Sequence, residues 1–237
     1  MQVIDMDFKI GNNWLFKSLN INFTNGITVI TGNNGCGKST LLRILSGLCE
    51  PTNGTVLFNN KNLYTHPESK QLISYVPSTP FLYPYLTLYE NINICGTLRQ
   101  LSQKEIKTNL VQIFEQCQLT GYENCLFDAL SDGMKKKAML ACALIHHPKL
   151  LILDEPNTTL SPFSREKLWE VLNQFANQGI DIILCSHHLE DINHCKAHYV
   201  LESGKLHLQA QMQVFSQIVL TQNQDEALKG SADEKYL

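Results

Sequence analysis

The sequence predicts an α/β fold built around a mostly parallel sheet. Short apolar runs that suit buried strands alternate with longer segments whose apolar residues recur at helical spacing. Because parallel strands need a crossover between them, helices placed between buried strands indicate a parallel sheet. A glycine-rich stretch also lies between the first buried strand and the first helix.

The first part of the chain is predicted to contain strands and one helix. Residues 3–30 hold short alternating or apolar stretches, and residues 26–31 indicate a turn that feeds a buried strand. A helix beginning at Lys38 is indicated by apolar residues at helical spacing, namely Leu41, Leu42, Ile44, Leu45 and Leu48. Residues 55–58 then favour a short strand.

The middle of the chain is predicted to change from sheet to helix. Residues 72–76 favour a strand that stops at three prolines, which fit poorly in a central strand or a helix, namely Pro77, Pro80 and Pro84. Between residues 87 and 118 the pattern is helical, with one apolar face formed by Ile106, Leu110, Ile113, Phe114 and Cys117. We therefore expect a small helical lobe here.

The last part returns to alternating helices and strands. A helix, a strand, a second helix and a second strand are predicted in turn, over residues 131–147, 150–153, 163–178 and 180–185. Beyond Leu208 the chain is rich in glutamine, and residues 225–237 are polar enough to form a frayed tail.

The composition is that of an ordinary folded protein rather than a disordered chain or an electrostatic nucleic-acid binder. Hydrophobic residues make up 43% and charged residues 17% of the 237 residues, and the net charge is -3. The eight cysteines include no C-x-x-C pair and no His/Cys cluster at zinc spacing, so we expect reduced thiols.

The N-terminus and the apolar runs predict a cytoplasmic protein. Residues 1–9 include Asp5 and Asp7 and lack a basic region followed by an apolar run, so they do not form a secretory signal. The longest wholly apolar run, residues 138–145, is far shorter than the roughly 18 to 20 residues needed to span a bilayer. We therefore expect any membrane association to depend on a partner.

The glycine-rich stretch carries the strongest chemical signal, because it fits the pattern G-x-x-x-x-G-K-[ST] between a strand and a helix. Glycines let backbone N–H groups approach phosphate oxygens, and the following helix N-terminus favours anions. Lys38 would add a positive charge for the outer phosphates, and Ser39 would ligate Mg²⁺. The sequence thus predicts an ATP site formed by Gly32, Asn33, Asn34, Gly35, Cys36, Gly37, Lys38, Ser39 and Thr40.

A second chemical signal follows the strand at residues 150–153. Asp154 and Glu155 stand at its end, beside the place where an α/β sheet would hold the phosphate loop. Asp154 would hold Mg²⁺ through water, and Glu155 would polarise the attacking water. An Asp-Glu pair at a strand end is commonly a solvated loop, but together with the phosphate loop it favours a catalytic site.

Four segments in order resemble the ATP-binding cassette (ABC) family. They are the phosphate loop, Leu130-Ser-Asp-Gly-Met134, which resembles an LSGGQ signature, Leu153-Asp-Glu-Pro156, and Ser186-His187 after a strand. The resemblance covers about residues 2–208. It implies a P-loop NTPase (RecA-like) core with a small N-terminal antiparallel sheet and an inserted helical lobe. The single domain, 1–208, would comprise a core at about 1–77 and 137–208 and a lobe at about 78–136, followed by a tail at 209–237.

The resemblance also implies how the site works. Two such domains, as a homodimer or a heterodimer, pair head to tail, so Ser131 and Gly133 of one chain face the γ-phosphate held by Lys38 of another. His187 would hydrogen-bond that phosphate and sense hydrolysis, so Lys38, Glu155 and His187 would be the catalytic residues. Paired with integral membrane subunits, the protein would be peripheral on the cytoplasmic face of the inner (plasma) membrane.

Three residues depart from the family pattern. Ser78 stands where a Gln is usual at the lobe junction, which weakens a contact to metal and water and the coupling between lobes. Ser161 replaces an acid in the loop after Glu155, which softens communication across the dimer. Asp132 replaces a glycine and brings negative charge near the phosphates.

The leading functional hypothesis is the energy-coupling ATPase subunit of an ABC membrane transporter. A soluble, non-transport ATPase of the same family and a degenerate, binding-only cassette in a heterodimer stay open as alternatives. The lead-in NNWLFKSLNINF resembles the haem-exporter subunit of cytochrome c maturation, whereas the Gly-Met-Lys-Lys-Lys run resembles drug and polysaccharide export cassettes. The transported substrate, its direction and the residue that stacks on adenine are left open, with Phe8 and Trp14 as candidates for stacking.

Overall fold

The computed structural model describes residues 1–209 as ten β-strands and five α-helices. The strands are β1 (Gln2–Ile10), β2 (Asn13–Asn22), β3 (Ile27–Thr31), β4 (Asn53–Phe58), β5 (Lys61–Asn62), β6 (Ile73–Val76), β7 (Leu150–Asp154), β8 (Asp181–Cys185), β9 (Ala197–Glu202) and β10 (Lys205–Gln209). The helices are α1 (Lys38–Leu45), α2 (Leu88–Leu98), α3 (Gln103–Gln116), α4 (Asp132–Leu144) and α5 (Pro162–Asn177).

A six-stranded sheet with strand order β10-β9-β3-β8-β7-β6 organises the fold. The strands from β9 to β6 run parallel, and β10 pairs antiparallel with β9 at one edge. A second, four-stranded antiparallel sheet has the order β2-β1-β4-β5. The predicted α/β fold, with a mostly parallel sheet and a small N-terminal antiparallel sheet, is confirmed.

The large sheet has a hydrophobic core on each face, because its central strands are buried on both sides. In β7, Leu150 and Ile152 pack with α1 and the small sheet, whereas Leu151 and Leu153 pack with α4 and α5. Side chains alternate between the two faces of a strand, so β7 contributes to both cores. Strands buried on both faces have continuous apolar sequences, which is why β7 and β8 were predictable.

Two helices end earlier than the sequence predicted. Helix α1 ends at Leu45, because Gly47 turns the chain at a φ of +77°, and Leu48 lies beyond the helix with 62% of its surface exposed. Helix α4 ends at Leu144 rather than near His147, which takes a left-handed φ of +54°. Pro148 follows, and a proline disfavours right-handed helical geometry in the residue before it.

The predicted helical stretch between residues 87 and 118 forms two helices. Helices α2 and α3 each begin with a capping box, formed by Thr87 with Glu90 and by Ser102 with Glu105. Both helices pack in the same hydrophobic core as α4 and α5. The exact boundaries of the helical lobe stay a prediction.

The C-terminal part of the chain is described only up to Gln209, which closes β10. Residues 210–237 of the predicted tail lie outside the described residues. Within residues 1–209 no helix combines the length and the apolar character that crossing a membrane requires.

Candidate functional site

The glycine-rich stretch forms a tight loop between β3 and α1, at the carboxyl end of the parallel strands. Gly32, Gly35 and Gly37 have φ angles of +150°, +79° and +107°, which residues with side chains rarely adopt. At Gly32 a side chain is also excluded by contact, since a Cβ there would meet the carbonyl oxygen of Leu201 in β9. The conformation of the loop therefore depends on glycine at these positions.

The side chain of Lys38 lies inside this loop. Lys38 is 6% exposed, and its Nζ donates hydrogen bonds to the carbonyl oxygens of Gly32 at 2.8 Å and Asn33 at 3.2 Å. The amide of Cys36 closes the same turn by donating to the Asn33 carbonyl oxygen at 3.3 Å. A positive charge is thus held beside the amides of a loop that opens a helix, an arrangement that suits phosphate groups.

Ser39 and Asp154 are in direct contact although they lie 115 residues apart in the sequence. The Oγ of Ser39 donates a hydrogen bond to Oδ1 of Asp154 at 3.0 Å, which joins the start of α1 to the end of β7. Strand β8 lies between β3 and β7, so α1 spans β8 to make this contact. Asp154 is 4% exposed, whereas Ser39 is exposed, so the contact lies where the buried strand end meets the open loop.

Tyr75 supports the second oxygen of the same carboxylate. Its hydroxyl donates a hydrogen bond to Oδ2 of Asp154 at 3.3 Å. Burial, together with the charge of Asp154, raises the pKa of the Tyr75 phenol above its ordinary value, so the phenol stays protonated and keeps its donor. Both oxygens of Asp154 are therefore oriented by hydroxyl groups.

Glu155 is held by the turn that follows β7. Its backbone takes a left-handed φ of +47°, and its N–H donates to the carbonyl oxygen of Cys185 in β8 at 3.1 Å. Its carboxylate Oε2 accepts a hydrogen bond from Thr158 Oγ1 at 3.1 Å and lies 3.5 Å from His187 Nδ1. The side chains of Glu155 and His187 are 25% and 43% exposed, so both reach solvent.

An open cavity of about 450 Å³ lies at the phosphate loop, and it is lined by Asn34, Gly35, Gly37, Lys38, Ser39, Thr40 and Glu155. The ammonium group and the helix N-terminus suit a phosphate chain. The Ser39 hydroxyl and the Asp154 carboxylate are hard oxygen ligands of the kind that Mg²⁺ prefers, so the residues present fit that ion. The cavity size also falls in the usual range for a small-molecule ligand.

A buried network anchors the loop that carries His187. Asp191 is fully buried and accepts hydrogen bonds from Trp169 Nε1 and Asn157 Nδ2, both at 2.9 Å. Its other oxygen accepts a hydrogen bond from the hydroxyl of Ser186, the residue before His187. One carboxylate thus ties α5, the turn after β7 and the loop after β8 together.

The structure does not bring Ser131 and Gly133 into the cavity at the phosphate loop. Ser131 is the N-cap of α4, and its Oγ accepts a hydrogen bond from the Met134 amide at 3.4 Å. Gly133 lies in the first turn of α4, where a Cβ would approach the side chain of Ser164 to 3.2 Å. The predicted contact of Ser131 and Gly133 with a phosphate therefore requires a second chain and stays a prediction.

The three residues that depart from the family pattern have defined places. Ser161 is the N-cap of α5, and its Oγ accepts a hydrogen bond from the Ser164 amide at 3.2 Å. Ser78 and Asp132 line a second cavity, of about 480 Å³, together with Glu155. Their effects on hydrolysis stay predictions.

The two aromatic candidates for adenine stacking lie in the small sheet. Trp14 of β2 pairs with Lys9, is 44% exposed, and has the ammonium groups of Lys9 and Lys17 at 5.8 and 5.4 Å from its ring. Phe8 instead packs against the core below the small sheet. Trp14 is therefore the more accessible of the two, and the stacking residue stays a prediction.

Sequence reasoning did not identify every residue that lines or supports the site. Tyr75 lies three positions before Ser78, and Thr158 lies three positions after Glu155. Ser78 and Glu155 were singled out from the sequence, so closeness in sequence offered a signal for their neighbours. Asp191 offered none, because its hydrogen-bond partners come from three separate segments.

Comparison with known proteins points to one family. A family model described as ABC transporter matches residues 16–158. YbhF of Escherichia coli, a probable multidrug ABC transporter ATP-binding protein, is 31% identical over 192 residues, which are 81% of this chain and 33% of YbhF. PotA of Clostridium novyi, a spermidine/putrescine import ATP-binding protein, is 34% identical over 175 residues, which are 73% of this chain and 50% of PotA. The chain spans half or less of the length of these relatives.

A solved structure, described as the ATP-binding subunit of an ABC transporter, shares the fold. The TM-score is 0.79 and the sequence identity is 28%. The match covers 92% of this chain and 93% of that one, so the similarity extends over both sheets and the helices between them.

Proposed function

Because the chain belongs to the ABC transporter family, we propose that it is the ATP-binding and ATP-hydrolysing subunit of a membrane transporter. The observation that carries the proposal is the contact of Ser39 with Asp154 beside the cavity that Lys38 and Glu155 line. One site then offers a phosphate cradle, oxygen ligands for Mg²⁺ and a carboxylate for the attacking water. Enzymatic phosphoryl transfer depends mainly on positioning and charge stabilisation, and these groups supply both.

ATP binding is assigned to the loop at residues 32–40. Its main-chain N–H groups and the N-terminus of α1 would surround the phosphate oxygens, and Lys38 would neutralise the outer phosphates. Ser39 would ligate Mg²⁺ directly, and Asp154 would hold it through water. When bound, the ion neutralises charge on the transferred phosphoryl group.

Hydrolysis is assigned to Glu155 and His187. Glu155 would accept a proton from the attacking water, with its Oε2 oriented by Thr158 at 3.1 Å. His187, 3.5 Å from the same oxygen, would donate a hydrogen bond to the γ-phosphate and sense its release. The Asp191 network supports this assignment, because it fixes the loop that presents His187.

A second cassette, identical or different, is proposed to complete the site. Ser131 and Gly133 lie outside the cavity of their own chain, at the N-terminus of α4. A helix N-terminus favours anions, so α4 suits the γ-phosphate held by another chain in a head-to-tail pair. ATP would then lie between two subunits and hold them together.

The surface around residues 80–91 is proposed to dock a membrane subunit. Phe81, Tyr83 and Tyr85 are 43%, 58% and 82% exposed. Next to this segment, a groove of about 480 Å³ runs between Tyr89 of α2 and Val111 of α3. Exposed aromatic side chains beside an apolar groove suit a helix from a partner. Docked there, the protein would lie on the cytoplasmic face of the inner (plasma) membrane.

The cargo and the direction of transport are open within this proposal. YbhF is named for multidrug transport and PotA for spermidine/putrescine import, so the two relatives differ in cargo. A binding-only cassette is the second candidate, and Ser78, Asp132 and Ser161 are the residues that favour it. The short distance between Glu155 and His187 favours retained hydrolysis.

Two measurements test the proposal. The purified chain should hydrolyse ATP in the presence of Mg²⁺, and EDTA should stop the reaction. The tagged chain, extracted from cells with mild detergent, should co-purify with a polytopic membrane protein. Recovery with ribosomes or assembly factors alone would support a non-transport ATPase, and ATP binding without any turnover would support the binding-only cassette.

A further inference from the structure

A lysine of α4 is buried beside the acids of the site, and the proposed chemistry gives it no role. Lys136 is 9% exposed, and its Nζ donates a hydrogen bond to the carbonyl oxygen of Ser78 at 2.7 Å. Within residues 1–209 the ammonium group has no second acceptor at hydrogen-bond distance. Burying an ammonium group is costly unless opposite charges compensate it.

In the described part of the chain, three carboxylates compensate the buried charge through space, without a direct ion pair. Burial lowers the pKa of the Lys136 ammonium, and the charges of Asp132, Asp154 and Glu155 oppose the shift. Lys136 and Glu155 also line the same cavity of about 480 Å³, to which Ser78 and Asp132 contribute. Glu155 lines the cavity at the phosphate loop as well, so it is shared by the two cavities.

We propose that Lys136 is a positioning residue for hydrolysis, which links the segment at Ser78 to the acid Glu155 on the same cavity. The inference rests on the proposed function, since it assigns Lys136 to the same reaction. Lys136 acts in two ways. Its hydrogen bond fixes the chain where it leaves β6 for α2, and its charge offsets the acids that surround the cavity.

The charge matters because the acids stand next to a site for a polyanion. Like charges repel each other at close range in a partly buried site more strongly than in water. Without the ammonium group, Asp132, Asp154 and Glu155 would oppose the binding of a triphosphate. The proposal therefore predicts weaker binding of ATP even without Mg²⁺, as well as slower hydrolysis.

A lysine with a merely structural role predicts a different result. If the role of Lys136 were only structural, Lys136→Met would lower the melting temperature, because it removes one partner of a buried charged contact, and would leave the affinity for ATP in EDTA unchanged. Lys137 provides a matched control on the same helix. Its Nζ donates to Oε1 of Gln118 at 2.7 Å, and it does not line the cavity.

The experiment compares Lys136→Met, Lys136→Arg, Lys136→Gln and Lys137→Met with the unmodified protein. The readouts are kcat and KM for ATP, the affinity for trinitrophenyl-ATP in EDTA, the melting temperature and hydrogen exchange over residues 77–87. Lys136→Met should lower kcat roughly tenfold, the size expected for losing one charge-assisted hydrogen bond. It should also weaken binding in EDTA several-fold and speed exchange over residues 77–87, whereas Lys137→Met should change none of these.

The two conservative variants separate the charge from the hydrogen bond. Lys136→Arg keeps the charge, so it should retain the affinity for trinitrophenyl-ATP in EDTA. Lys136→Gln loses the charge but keeps a hydrogen-bond donor, so it should lose that affinity and still partly protect residues 77–87 from hydrogen exchange. The proposal is overturned if Lys136→Met behaves like Lys137→Met in turnover, in binding and in exchange. Should Lys136→Met fail to fold, equal affinities of Lys136→Gln and Lys136→Arg in EDTA would contradict it.

Failure of the proposed function looks different from failure of this inference. If the unmodified protein neither binds nor hydrolyses ATP, the proposed function is wrong. If it hydrolyses ATP and loses turnover on Glu155→Gln but not on Lys136→Met, only the role of Lys136 is wrong.

Discussion

The hydroxyl of Ser39 and the carboxylate of Asp154 meet at 3.0 Å, across strand β8, which separates their two strands in the sheet. This contact joins the phosphate loop to the acids that follow β7. It also places two oxygen ligands at one point, beside the cavity lined by Lys38 and Glu155. The proposed ATPase activity depends on this junction.

Removing the Ser39 hydroxyl should weaken the binding of Mg-ATP more than that of metal-free ATP. Ser39→Ala should cost about tenfold in affinity with Mg²⁺, as expected for a lost contact to the ion, and little in EDTA. Titration with trinitrophenyl-ATP in both conditions measures the difference. Ser46→Ala is the control, since Ser46 caps the other end of α1. An equal loss in both conditions would show that Ser39 does not act through the metal.

Alkylation of Cys36 should block nucleotide binding. Cys36 is partly exposed in the phosphate loop, and its Sγ lies 3.0 Å from where a Cβ on Gly32 would stand. N-ethylmaleimide should therefore inactivate the protein sterically, and bound ATP should protect it. Cys36→Ala should remove the sensitivity. Equal rates of inactivation with and without ATP would contradict the placement of the nucleotide at this loop.

His146 should make stability depend on pH in the acidic range. Burial lowers the pKa of His146 from 6.5 to about 4, so the unfolded chain binds the proton at a higher pH than the folded one. The free energy of unfolding should thus fall as the pH drops from about 6.5 to about 4. His146 is only partly buried, so its share is about 1–2 kcal/mol.

Urea unfolding at about pH 7.5 and about pH 5 measures the contribution of His146. His146→Asn should show a smaller loss of stability between the two values than the unmodified protein. His66→Asn is the control, because His66 is exposed. The same pH dependence in all three proteins would rule out the assignment.

Removing one of the hydrogen-bond donors to Asp191 should affect both the stability of the protein and the loop that carries His187. Trp169→Phe keeps an aromatic ring in the core but removes the N–H that bonds Asp191 at 2.9 Å. A cost of about 1–3 kcal/mol is expected for a buried carboxylate that loses a partner, with a lower kcat and little change in KM. Urea unfolding and steady-state kinetics measure these effects. Trp14→Phe, at an exposed position, should be nearly neutral for stability, and an equal loss of stability in the two variants would contradict this prediction.

The phosphate loop and the buried strands were predictable because their signals are local. The loop at Gly32 and the apolar run of β7 can each be read from fewer than ten consecutive residues. The ends of α1 and α4 were predicted less well, since Gly47 and Pro148 terminate helices that apolar spacing alone would extend.

The supporting residues could not be predicted because their partners are distant in sequence. Lys136 is part of a lysine run that suits a solvated helix face, yet its side chain is buried against Ser78, 58 residues away. Asp191 likewise collects donors from α5 and two separate loops. Tertiary packing, rather than local pattern, determines these contacts.

The turnover of Glu155→Gln shows whether this carboxylate activates the attacking water. Steady-state ATP hydrolysis should fall at least about 100-fold in Glu155→Gln, the size expected for the loss of a general base, while Mg-ATP still binds. Glu166→Gln is the control, since Glu166 is an exposed acid on α5. Unchanged turnover in Glu155→Gln would show that Glu155 is not the general base.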